Sequence, residues 1–152
     1  MSLSPKLAAL LVTAALPALA GVAAHAEQQP FTYQDLARLD RLSALNVDPA
    51  GRLAAFQVRA TDLDKNKGVN SIWIKDLGQA ATPERKLAVS EGGASNPQWS
   101  PDGQTLYFIS PRSGSDQVWK TDATGATATQ VTSLPLDVQA YQPTPDGKGL
   151  VV

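Results

Sequence analysis

One four-residue phrase recurs three times in this chain, and each copy is followed by a short apolar run. Asp48-Pro49-Ala50-Gly51 precedes Leu53-Ala54-Ala55-Phe56, Ser100-Pro101-Asp102-Gly103 precedes Leu106-Tyr107-Phe108-Ile109, and Thr144-Pro145-Asp146-Gly147 precedes Leu150-Val151-Val152. Proline presets φ for the second position of a turn, Asp hydrogen-bonds its own following backbone, and Gly supplies positive φ. The runs that follow are rich in β-branched and aromatic residues, as strands are. A turn and strand recurring about every 45 residues has the period of a β-propeller blade.

The segments between the phrases fill out two such units. In the first, the pattern predicts strands over 45–47, 53–59, 71–76 and 85–89. In the second it predicts strands over 96–99, 105–110, 116–120 and 129–132. The two align without forcing, Trp73 with Trp119 and Asp76 with Asp122. Four short antiparallel strands per repeat is one blade. Trp73, Trp99 and Trp119 are therefore expected to be wedged between adjacent blades rather than to form a ligand platform. The third unit starts at Ala140-Tyr141-Gln142-Pro143, in step with Asn96-Pro97-Gln98-Trp99, and the sequence stops inside its second strand. A ring needs about four blades to close. The expectation is an all-β, incomplete β-propeller: blades at about 45–93 and 94–138 and a truncated one at 139–152, from the N-terminal piece of a longer protein or a truncated gene.

Ahead of the repeats, residues 1–26 read as a secretory signal peptide. Lys6 is their only charge, 7–24 is almost wholly apolar, and Ala24-His25-Ala26 fits the small-x-small cleavage rule, leaving Glu27 as the mature N-terminus. A membrane anchor is the competing reading, weakened by the shortness of the run and by Pro17. A periplasmic or secreted location follows, with membrane contact only during export. Residues 27–44 then form a lead-in with a short helix. Thr32 is a suitable N-cap, Asp35 can return the capping-box bond, Phe31 and Leu36 are placed for a hydrophobic staple, and the helix is expected to end near Ser43 or Ala44.

Several chemistries are excluded or weak. The chain has no cysteine, so thiolate catalysis, disulfides and thiolate metal sites are ruled out. His25 is the only histidine and would leave with the signal. A net charge of −1 leaves no electrostatic footprint for nucleic acid. Asp62, Asp64 and Asn66 alternate like the opening of a calcium loop, but Lys67 stands where Gly is required and Trp73 where a bidentate Glu is required. A solvated hairpin loop fits better. No cofactor, metal ligand or catalytic residue is assigned.

From Phe31 to Val152 the order Phe31-Thr32, Asp35-Leu36, Leu39, Arg41, Ser43, then Ala55-Phe56, Asp62, Asn66 and Ile72-Trp73 resembles the start of secreted bacterial members of the prolyl oligopeptidase family of serine peptidases, closest to dipeptidyl aminopeptidase and acylaminoacyl-peptidase-like enzymes. The resemblance implies a propeller of seven or eight blades capping a C-terminal α/β-hydrolase domain. That domain would carry the Ser, Asp and His triad and meet the peptide substrates. None of those residues is in this sequence. Gly93-Ala94-Ser95-Asn96-Pro97 has Pro where the nucleophile elbow needs Gly, and Glu84 and Glu91 match no substrate-amine motif. The expected role is the gating propeller segment of an exported serine peptidase, the segment itself being inactive. The alternatives are a non-catalytic, TolB-like periplasmic propeller that binds protein, and a small self-contained β-protein.

Overall fold

The structure, a computed structural model, describes residues 30–152. The signal-peptide reading, with Ala24, Ala26 and Glu27, lies outside the described residues.

A single helix, α1 (Tyr33–Arg38), opens the described chain. Its capping box forms as anticipated: Thr32 Oγ1 accepts the Asp35 N–H at 3.2 Å, and Asp35 Oδ2 accepts the Thr32 N–H at 2.8 Å. The Thr32 hydroxyl, donating to Asp35 Oδ2 at 2.7 Å, and then the Thr32 N–H hold the Asp35 carboxyl below the usual carboxylate range. The helix ends at Arg38, short of Ser43. Leu39 is already extended, and from Arg41 the backbone is claimed by a β-ladder. Phe31 and Leu36 are 68% and 55% exposed, so the staple buries neither.

Strands β1 (Arg41–Val47), β2 (Leu53–Asp62), β3 (Lys67–Asp76) and β4 (Arg85–Lys86) form one antiparallel sheet in that order. Strands β5 (Ser95–Trp99), β6 (Leu106–Ser110), β7 (Gln117–Thr121) and β8 (Thr129–Gln130) form a second. Strands β9 (Gln142–Pro143) and β10 (Leu150–Val151) begin a third. This is an incomplete β-propeller of two four-stranded blades and the start of another.

Two local features differ from the sequence expectation. β1 starts at Arg41 rather than at residue 45, because a bulge at Ala44 (φ 49°) lets the strand continue across a register shift. The same bulge recurs at Asn96 (φ 51°) in β5, at the matching point of the second repeat. β4 is two residues long and gives way to a 3-10 turn over Ala88–Ser90. There the Val89 N–H leaves its own sheet to donate to the Gly125 carbonyl at 3.0 Å.

The three turns share one mechanism with an exchange of roles. Ser100 Oγ accepts the Thr105 N–H at 3.0 Å, and Asp102 Oδ1 accepts the Gln104 N–H at 3.0 Å. Thr144 and Asp146 repeat both bonds to Gly149 and Lys148. In the first copy Asp48 Oδ1 alone takes the Arg52 and Leu53 N–H groups, at 2.6 and 2.8 Å, which is why Ala50 is tolerated there. The hydroxyls of Ser100 and Thr144, followed by backbone N–H groups, hold Asp102 and Asp146 below the usual carboxylate range. A depressed folded-state pKa contributes stability above the ordinary carboxyl value, and that contribution is lost as pH falls through the folded one. Urea midpoints are therefore expected to be flat near neutrality and to drop below about pH 4. Asp102→Asn with Asp146→Asn should flatten that drop.

Side-chain parity sorts each blade into two faces. Phe56 pairs with Trp73 across β2 and β3, and Ala55 pairs with Ile74 on the opposite face. Ala55, Ile72, Ile74, Leu87 and Val89 pack on Trp99, Leu106 and Phe108 of the second blade, with Trp119 against them. A second cluster joins Ile109 and Val118 to Val138 and Tyr141, which lead into the third unit. Each seam thus sets the trailing face of one blade on the leading face of the next.

Candidate functional site

Several side chains hydrogen-bond across the seam between the two blades. Arg112 lies across it. Its guanidinium rests over the rings of Phe108 and Trp119, 5.2 and 5.0 Å from their centroids. Its Nε donates to Ser110 Oγ at 3.0 Å, and its Nη2 donates to the Val89 carbonyl of the first blade. Burial pulls its pKa below the ordinary arginine value. Arg85 reaches the other way, donating to the Thr124 carbonyl at 3.0 Å and to the Ala123 carbonyl.

Amide side chains tie the first strands of successive units together. Asn46 Oδ1 accepts the Trp99 N–H at 2.7 Å. Gln98, at the matching position of the next repeat, donates from Nε2 to the Tyr141 carbonyl at 2.8 Å. Gln57 Oε1 accepts the Asn96 N–H at 3.0 Å, and the Tyr141 hydroxyl donates to the Asn96 carbonyl at 2.7 Å. Desolvation drives the Tyr141 phenol well above its usual range, so it stays a donor at any ordinary pH.

Two depressions flank this framework. One, of about 480 Å³, lies between the blades and is lined by Asp62, Lys65, Gly68, Asn70, Gly93 and Asp116 among others. The other, of about 440 Å³, lies on the leading face of the first blade and is lined by Asp40, Leu42, Phe56, Trp73, Lys75 and Glu84, with Val58. In the first, Asp62 is satisfied internally. Its Oδ1 accepts the Lys65 N–H at 3.1 Å and its Oδ2 pairs with Lys65 Nζ at 2.9 Å. That pairing lowers the Asp62 pKa and raises that of Lys65. The Asp62, Asp64, Asn66 alternation is thus a hairpin loop over residues 63–66, closed by Asn66 at φ 47°. Among the described residues, no three His, Cys, Asp or Glu side chains converge as metal ligands.

Ser95 begins β5 opposite Ile109, within a strand rather than at a strand-to-helix elbow. Glu84 and Glu91 are exposed. Trp99 and Trp119 sit in the seam, whereas Trp73, half-buried at the place equivalent to Trp119, lines the depression on the leading face of the first blade. Sequence reasoning missed Arg112, Asn46 and Gln98. Asn46 and Gln98 could have been found from their shared repeat position, four residues before Ala50 and Asp102 respectively. Arg112 has no counterpart in the first repeat and left no such signal. These contacts tie one blade to the next.

No protein-family profile matches the chain. An uncharacterised peptidase, YuxL, of Bacillus subtilis is 28% identical over 122 residues, which is 80% of this chain and 18% of that protein. The acylaminoacyl peptidase of Pyrococcus horikoshii superposes with a TM-score of 0.64 at 22% identity, over 79% of this chain and 18% of that one. The β-propeller domain of the Trilobed protease from Pyrococcus furiosus superposes at 0.56 and 21% identity, over 74% and 33%. A putative TolB from Agrobacterium tumefaciens superposes at 0.55 and 27% identity, over 69% and 35%. The propeller fold and the resemblance to peptidases of the prolyl oligopeptidase type, both drawn from the sequence, are borne out. The chain spans about a fifth of the length of the peptidase relative that it matches.

Proposed function

We propose that this chain is the gating propeller segment of an exported serine peptidase. The observation that carries the reading is similarity to a peptidase along 80% of the chain, on a fold whose repeats demand further blades to close. In this reading a hydrolase domain outside these 152 residues supplies the nucleophile, base and acid, and the propeller restricts which peptides reach it. Residues 1–26 would direct the protein to the periplasm or the medium, with Ala24 and Ala26 as the small residues of the cleavage site and Glu27 becoming the N-terminus. The segment works as a rigid wall: Arg112, Asn46 and Gln98 fix one blade against the next, and the blade ends frame the opening.

The test is to read the coding sequence past Val152. A Gly-x-Ser-x-Gly elbow several hundred residues on, followed by Asp and then His, would support the peptidase. Its absence from the whole gene would sink it. A second check uses the purified segment 27–152 with aminoacyl and dipeptidyl chromogenic substrates. No turnover is expected, and serine-dependent turnover surviving repurification would overturn the assignment. A second reading, a non-catalytic periplasmic propeller that binds protein, draws on the 27% identity to the putative TolB.

A further inference from the structure

Two of the three repeated turns carry an Asp-Gly pair, Asp102-Gly103 and Asp146-Gly147, and the sequence has no other Asp-Gly or Asn-Gly pair. Each residue has its own reason to be there. Gly103 and Gly147 stand at φ 70° and 69°, where a side chain is strained. Asp102 and Asp146 accept the Gln104 and Lys148 N–H groups through Oδ1. Together they make a chemically labile link, because glycine has no Cβ to shield its nitrogen from the preceding carboxyl. The reaction is an isomerisation. The glycine nitrogen bonds to the Asp Cγ, the Cγ–O bond breaks, and the oxygen leaves with the nitrogen's proton and the acid proton as water. Water then adds to the former main-chain carbonyl of the five-membered ring and breaks that carbonyl's bond to nitrogen. The main chain of the product, isoaspartate, runs through Cβ, and the mass is unchanged.

We infer that Asp102 and Asp146 are the sites of isoaspartate formation in this chain, that the hydrogen bonds of each turn hold the reaction back, and that Asp146 isomerises first. In the folded turns both reacting groups are engaged. The Gly103 N–H donates to the Ser100 carbonyl and the Gly147 N–H to the Thr144 carbonyl, each at 2.9 Å, which keeps the proton on nitrogen and the peptide plane in place. The Asp Oδ1 is held by the Ser100 or Thr144 hydroxyl and by the backbone N–H that follows the glycine. Those bonds favour the carboxylate, whose oxygen leaves far less readily than that of the neutral acid. Isomerisation therefore waits for the turn to open, and its rate follows local stability.

Local stability separates the two sites. The Asp102 turn joins β5 to β6, of five residues each, whereas the Asp146 turn joins β9 to β10, of two residues each. Ser100 is buried, Gly103 is half-buried, and a Cβ on Gly103 would stand 3.2 Å from Pro49 of the preceding turn. Residues 145–149 are exposed throughout, and a Cβ on Gly147 would stand 4.0 Å from Pro101. The first turn escapes the reaction. Ala50 precedes Gly51, and Asp48, which takes over the backbone bonds, is followed by Pro49, whose nitrogen has no proton to release.

The test ages the 152-residue chain at neutral pH and body temperature, folded and in concentrated urea. Tryptic peptides 87–112 and 121–148 are then resolved by liquid chromatography with electron-transfer fragmentation, which distinguishes isoaspartate from aspartate. In urea both sites should convert at the same rate. In the folded chain Asp102 should convert at least about tenfold more slowly than in urea, with Asp146 ahead of it. Asp122 and Asp137, in the same peptide as Asp146, should stay behind both. Thr144→Val should speed Asp146 by about fivefold or more, the factor that one net hydrogen bond represents, and leave Asp102 unchanged. Ser100→Ala should do the reverse. Equal rates in the folded chain and in urea at both sites would overturn the proposal. So would Asp102, Asp122 or Asp137 converting ahead of Asp146 in the folded chain, or a folded Thr144→Val chain that converts Asp146 at the wild-type rate. A variant that fails to fold shows the urea rate at both sites, and the wild-type comparison of folded and urea samples then decides alone.

Discussion

Replacing Phe108 with alanine is expected to remove about 3–5 kcal/mol of stability. The ring is wholly buried in the seam where the two blades meet, and Arg112 stacks on it. Truncation therefore removes core contacts, opens a cavity between two sheets that cannot close independently, and strips the guanidinium of one of its two aromatic supports. Phe56 is the natural control. It holds the same repeat position, opposite Trp73, but is half-buried and lines the depression on the leading face of the first blade. Phe56→Ala in the 152-residue chain should cost less, because the ring is half-buried where Phe108 is wholly buried, and a cavity there opens onto an existing depression. Urea denaturation of the two variants side by side measures the difference. Equal losses would mean that the two blades do not meet as described.

The second large effect is expected at Gly125. Its φ of 63° lies in the left-handed region, and a Cβ there would stand 2.7 Å from Leu87 Cβ. The left-handed conformation costs an alanine about 1 kcal/mol, and the overlap adds about 1–3 kcal/mol more. Leu87 cannot swing away, because the clash begins at its Cβ and the residue is 1% exposed. Nor can the turn retreat without lengthening the bond from the Val89 N–H to the Gly125 carbonyl. Gly51 isolates the two costs. Its φ is 69°, and a Cβ there would meet nothing within 4 Å. Gly51→Ala should show the backbone penalty alone, and Gly125→Ala should exceed it clearly in thermal melts. Adding Leu87→Ala to Gly125→Ala should recover part of the excess, a coupling that a double-mutant cycle reads directly.

How much of this was legible in the sequence depends on distance along the chain. The capping box was legible because Thr32 and Asp35 are three residues apart and satisfy each other's backbone. The turns were legible for the same reason. The exchange in which Asp48 does the work of both Ser100 and Asp102 could be guessed from Ala50. The helix end was misjudged because Leu39 and Leu42 continue the apolar period, while Arg41 to Ser43 are taken by Val58, Arg59 and Gln57, which lie far along the chain. The bulge at Ala44 was not legible, since alanine is not a residue that advertises positive φ, whereas Asn96 at the matching position is of a type that does. The short β4 was missed because what ends it, the carbonyl of Gly125, belongs to another blade.

The candidate site divides along the same line. That Trp99 and Trp119 would be seam residues followed from the alignment of the repeats. That Trp73 would line a depression did not, because the alignment treats the repeats as equal and only the fold shows which of them packs its leading side on another described blade. The sequence by itself determined the unit: a turn, four strands and their two-faced alternation, all set by interactions within a few tens of residues. Only the tertiary structure decided which faces meet, through Arg112 on Val89, Asn46 on Trp99 and Gly125 on Leu87. Those contacts join residues whose identities constrain each other only after two blades have been brought together, and nothing in the local preference of either partner announces the other.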